Sequence, residues 1–342
     1  MNDQVEKIAK EWSLLIRANQ MIPIYPPTQD LQVGDVFLVN TPIEDQAKIY
    51  NKGGFLPLDQ MVVRLFADPK IKKSVLTEFD EFYNSMYGIN GSVLPPKNWH
   101  DTDDGWKNAP VVSFPTYSFS IDSGAGLNLA LPIESIPFAL GLMKSGKYSA
   151  TVVINDAHTY GLDNWRLEKF FRQWVDNHNS AIQTENSTKN GQTEDPNLTP
   201  EPNHDNNYFR IISRVYVAGG VNVTLTADET NGAKADAGEK TPIDLIGIKT
   251  DSSGDNYQTA INALNTLAKG SMGASVQVVT ATNRSITLNE TFKKPLVIGY
   301  IGFDIQFVRS PNKNSNAYRS IMLLNDPVPT LTRLKEKKKN TK

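Results

Sequence analysis

Asn179–Asn207, NSAIQTENSTKNGQTEDPNLTPEPNHDNN, constrains the chain more than any other stretch. Only Ala181, Ile182 and Leu198 in it are plainly apolar. Such a run buries too little apolar surface to offset the entropy of ordering it, so it is expected to be a flexible linker or a long surface loop. Two folded blocks are then expected: an α+β domain over residues 1–178 and a β-rich α+β domain over 208–325. Residues 326–342 read as a basic disordered tail. At 342 residues the chain is long enough for each block to hold its own core. The fold class expected is α+β, with the second block a mainly antiparallel sheet carrying one packed helix.

In the first block, Asp3 and Glu6 have capping-box spacing. Val5, Ile8, Ala9, Trp12, Leu15 and Ile16 follow at helical period, and Pro23 and Pro26-Pro27 close the pattern. Val36–Val39 reads as a buried strand, and Asp68-Pro69 opens a second helix that stops at Gly88. Val111–Ile121 is strand-like, with its alternation slipping at Pro115, which suggests a bulge or an edge. Tyr148–Ile154 is a strand predicted to end in the turn Asp156–Gly161. Leu162–Val175 is an amphipathic helix with Asp163 as its cap.

Tyr208–Thr226 is the longest β-prone run. Gly219-Gly220 predicts a hairpin turn that would place Tyr216, Ala218, Val221, Val223 and Leu225 on one face. A single long strand bent at the glycines is the rival. Ala227–Thr241 reads as an exposed loop and Ile243–Ile248 as a short strand. Tyr257, Ala260, Ile261, Leu264 and Leu267 mark a helix ending at Gly270. Strands are expected at Ser275–Ala281, Ser285–Asn289, Leu296–Val308 and, at an edge, Tyr318–Leu324.

The chain has no cysteine, which excludes disulfides, thiolate metal sites and cysteine nucleophiles. A net charge of -2 gives no basic field for nucleic acid; the basic tail could touch acidic lipid. No signal-peptide core and no run of spanning length stands in the letters, so a soluble, cytoplasmic protein is expected, although an exported mature form would read the same. GxSxG, HExxH and Walker motifs are absent, so a non-enzymatic protein without cofactor or metal is expected.

Trp99, His100, Asp101, Asp103, Asp104 and Trp106 form the most chemically suggestive cluster, an acid-rich turn between two aromatic rings that suits a hard cation or a stacked sugar. The bland alternative is a solvated turn, since the spacing fits no EF-hand. His158 is the better placed of the four histidines, with a turn-stabilising role as its alternative. Three functions follow. The first is protein binding or structural assembly through sheet edges and aromatic faces, with protein partners or other copies of the chain. A second is membrane activity, a β-hairpin from 208–249 inserting with Tyr216, Val221, Val223 and Leu225 as its apolar side. The third is metal or glycan binding, or hydrolysis, at 99–106.

Overall fold

A computed structural model describes residues 3–39, 43, 58, 60–71, 73, 77, 78, 81, 105–121, 148–178, 208–227, 259, 261–266, 276–281, 285–309 and 318–323. Nine antiparallel strands of one sheet run through them: β1 Ile22–Thr28, β2 Asp35–Val39, β3 Gln60–Arg64, β4 Tyr117–Ile121, β5 Tyr148–Gly161, β6 Tyr208–Ala227, β7 Val276–Ala281, β8 Ser285–Arg309 and β9 Tyr318–Leu323. Helix α1 is Asp3–Ala18, α2 is Asn164–Asn177 and a short α3 covers 261–266.

The spine is the pair β6–β8. β6 takes β5 along Arg214–Ala227 and β2 along Tyr208–Ile211 on one side, and β8 on the other. β8 in turn carries β1, β7 and β9. Strands from both sides of Asn179–Asn207 therefore interleave in one sheet. Both apolar clusters also mix the two blocks, for example Trp12 with Val223 and Phe170 with Phe303. This corrects the two-body expectation, because a polar stretch reports its own failure to fold and not whether its flanks fold apart. The stretch itself, the cluster at 99–104, the strand at 243–248 and the basic tail lie outside the described residues.

The hairpin at Gly219-Gly220 is also corrected: β6 is one continuous strand through both glycines, as the rival reading had it. β5 keeps one register across it, from Tyr148↔Ala227 to Gly161↔Arg214, and supplies ladder partners on both sides of the glycines. Close approach is what the glycines provide. A Cβ on Gly219 would lie 2.3 Å from Trp106 Cη2, and one on Gly220 would lie 2.6 Å from the Glu290 carbonyl. The face predicted for Tyr216, Ala218, Val221, Val223 and Leu225 holds without the hairpin: all five belong to one apolar cluster, Tyr216 at its margin, while Val215 and Val217 belong to the other.

Two other expectations change for a related reason. β5 continues to Gly161 because Asp156, at φ 50, bridges what was predicted to be a turn. β8 is one strand from Ser285 to Arg309, with Phe292–Pro295 absorbed as a bulge. β1 was not foreseen, since its prolines argue against a strand; among the described residues its ladder partner is β8, at Ile22, Pro23 and Thr28. Asp163 stands at the N-cap of α2 without a side-chain cap bond and pairs with Arg166 instead. α3 buries Ile261 and Leu264, as the helical period required.

Candidate functional site

Three irregularities fall at one level of three neighbouring strands. They are Asp156 in β5, Gly219 in β6 and the bulge in β8, where the register jumps from Ala218↔Leu296 to Gly220↔Thr291. Trp106 covers this seam. Its short 3-10 turn, Gly105–Asn108, leads into Ala109–Val112, which is laid along β5 by Thr159 N–H to Pro110 O (2.9 Å) and Val112 N–H to Ala157 O (2.9 Å).

His158 locks the same segment. Nδ1 bonds to the Ala109 carbonyl at 2.7 Å and Nε2 to Asp156 Oδ1 at 3.1 Å. Both partners are acceptors, so the ring serves both only with a proton on each nitrogen. Trp106 meets the imidazole edge-on, with centroids 5.1 Å apart. The structure thus brings together two of the residues singled out from sequence. With Trp106 2% exposed, its ring presents no open face on which a sugar would stack. Among the described residues, no group of three or more His, Asp or Glu side chains is placed to hold a metal.

Below the seam, toward Tyr208, the sheet is fastened by charge. Arg210 and Asp304 face each other on β6 and β8, both 1% exposed at the side chain, with Nε to Oδ1 at 2.9 Å and Nη2 to Oδ2 at 3.0 Å. Asp304 Oδ2 also accepts the Ile43 N–H at 2.6 Å. Burial disfavours the Arg210 charge, yet the Tyr300 and Asp304 side chains outweigh it and hold its pKa above the ordinary value. Arg64 and Asp35 repeat the arrangement between β3 and β2 at 2.7 Å.

Above the seam the strands run in the order β4-β5-β6-β8-β7. Residues 117–121, 148–155, 220–227, 276–281 and 285–289 contain no Asp, Glu, Lys, Arg or His. One face is buried and apolar except at its margin with the seam, where Glu290 stands beside Val221 and Val276 and is 4% exposed. Phe119, Ala150, Val152, Val221, Val223, Leu225, Ile286 and Leu288 lie under Trp12 and Ile16 of α1 and Ile261 and Leu264 of α3. The ring of Trp12 packs on Tyr117 at 5.3 Å and on Phe119 at 6.4 Å.

The opposite face is polar but carries no charge. Register places Ser118, Thr151, Thr224 and Thr287 in one row across four strands, and Val153, Asn222, Asn289 and Gln277 in the next. These groups bond to each other: Ser118 Oγ to Thr151 Oγ1 at 3.3 Å, Thr224 Oγ1 to Thr287 Oγ1 at 3.0 Å, and Asn289 Nδ2 to Asn222 Oδ1 at 2.7 Å.

No protein-family model matches the chain, and no curated protein matches it. Among solved structures it is similar to a bacterial gasdermin from Bradyrhizobium tropiciagri, with 11% identity, 92% of this chain and 91% of that chain covered, and a TM-score of 0.37. A superposition that loose carries no argument about fold or activity.

Val221, Val223 and Leu225, predicted as the apolar side of an inserting hairpin, sit on the buried face, and half-buried Tyr216 packs edge-on against Phe114 at 6.3 Å. Reading the sequence missed the Ser/Thr/Asn rows. Their signal was available: every polar position of the alternation in Asn222–Thr226 and Ser285–Asn289 is a hydroxyl or an amide.

Proposed function

We propose that this chain acts on lipid bilayers through the end of its sheet whose polar face carries no charge. The carrying observation is the polar face that holds no ion and bonds its own hydroxyls and amides across strands. Moving a charged side chain to the middle of a bilayer costs roughly 2.5–3.5 kcal/mol on insertion scales. Side chains that already bond each other lose far less on leaving water. The apolar face loses little in exchanging α1 and α3 for acyl chains, because lipid tails are as apolar as leucine. From Val215 to Ala227 β6 is free of charge, and that run exceeds the ~9–11 residues a tilted spanning strand needs. Among the described residues no helix is long and apolar enough to cross a membrane, so strands are the elements this reading uses.

In this reading α1 lifts from the sheet before the apolar face meets lipid. Gly299 offers a way to prevent that, since a Cβ there would lie 3.1 Å from Ile16 Cγ2. The test is dye release from phosphatidylglycerol-containing vesicles. Wild type is expected to release dye. The oxidised Ile16→Cys/Gly299→Cys protein is expected to release at least tenfold less, with recovery on reduction. The chain has no other thiol to confuse the result. Wild type silent at every protein-to-lipid ratio would end the proposal, and a staple without effect would end the role given to α1.

A further inference from the structure

The outer side of β7 carries a feature that bilayer action does not use. Asn265, on α3, bonds the backbone of Val278 twice: Val278 N–H donates to Oδ1 at 2.6 Å, and Nδ2 donates to Val278 O at 3.3 Å. A strand residue sends its N–H and C=O to the same side, so both groups of Val278 turn away from β8 and toward α3. In an antiparallel ladder a facing residue exchanges these same two bonds. The side-chain amide of Asn265 therefore occupies the place of a neighbouring strand's peptide group.

We infer that Asn265 is a plug that keeps β7 closed against strand addition by a second copy of this chain. β7 reads VQVVTA, without the proline, glycine or charge that commonly protects an edge. Val279 is 50% exposed beside it. The occupant follows from strand direction. The five antiparallel strands β4-β5-β6-β8-β7 leave β4 and β7 pointing the same way, so a head-to-tail join of β4 to β7 would be parallel. A two-fold pairing of β7 with β7 of another copy continues the sheet antiparallel, and it closes at a dimer. The inference stands apart from bilayer action, because it concerns the protein in water.

The experiment uses the full chain in buffer without lipid, with mass measured by light scattering across a concentration series. Wild type is expected to be monomeric. Asn265→Leu, which removes both bonds and keeps a good helix former, is expected to double the mass, with at least a tenfold lower dimer dissociation constant. Adding Val279→Lys to that variant is expected to restore the monomer, by placing a charge on the opened edge. Asn265→Leu remaining monomeric with wild-type circular dichroism overturns the inference, as does a larger assembly that Val279→Lys leaves intact. Should Asn265→Leu lose its fold, the smaller Asn265→Ser decides by the same criteria. A wild-type dimer that Val279→Lys dissociates would also overturn it, since the edge would then be open already.

Discussion

Between Tyr208 and Ile212 β6 carries Arg210, held by Asp304 across the ladder with both side chains out of water. Between Asn222 and Thr226 the same strand carries Asn222, Thr224 and Thr226, bonded sideways or facing solvent. One backbone thus passes through two environments, separated by the seam at Gly219. A buried ion pair ties its surroundings down, because removing either partner strands a charge in low dielectric. A ladder of hydroxyls and amides is worth little per contact but tolerates a change of solvent. The end near Tyr208 is tied to its surroundings, and under the proposed bilayer reading the end near Ala227 is the part that would change solvent.

The sharpest way to break this comparison is Asp304→Ala. It leaves Arg210 buried without its carboxylate and frees the Ile43 N–H, so the expected loss is about 3–5 kcal/mol in urea unfolding. The matching change in the other half, Thr224→Val with Thr287→Val, is expected to cost less than about 1 kcal/mol, since both partners of one bond become apolar together. Equal losses would mean that the two ends are fastened alike.

An intermediate effect is expected at the boundary. Gly219→Ala drives a methyl into Trp106 Cη2 at 2.3 Å and Asp156 Oδ2 at 2.8 Å. Overpacking of this kind costs about 1–3 kcal/mol. Trp106 must then leave its site beside His158, and red-shifted tryptophan emission would report that move. Unchanged emission with unchanged stability would show that the two halves do not meet through Trp106.

How much of this was legible in the letters differs between the two regions. Alternation gave the first half of β5 and the two arms of β6, because a half-buried strand writes its period into neighbouring residues, and a short apolar run gave β2. The continuity of β6 through Gly219-Gly220 was not legible, since the same dipeptide serves a turn or a close packing contact. Only the strands on either side decide which it is. Arg210 and Asp304 are far apart in sequence, so no local pattern pairs them. The seam was visible only as a set of unrelated oddities: an Asp, two glycines and Lys293-Lys294-Pro295. Trp106 and His158 were picked as chemistry and proved to be neighbours, but the reason is packing over Gly219. Asn265 gave no signal at all, because its role lies in the strand it happens to face.

The smallest expected effect concerns pH. Tyr117, on β4 beneath Trp12, has its phenol pushed up to about 12 by burial, against which the Asn19 amide at 3.4 Å is a weak opposing contact. The fold therefore favours the neutral phenol. Its contribution is fully present below the ordinary value of 10.0 and is lost as pH rises through about 12. Tyr117→Phe removes that loss and should leave stability near wild type at pH 7. The variant should become the more stable protein only above about pH 10, in paired urea titrations. Phe gaining already at neutral pH would mean that the hydroxyl is strained in place and that burial is not what moves it. If no gain appears at any pH, α1 already stands away from β4 in solution, and the apolar face is open before any lipid is present.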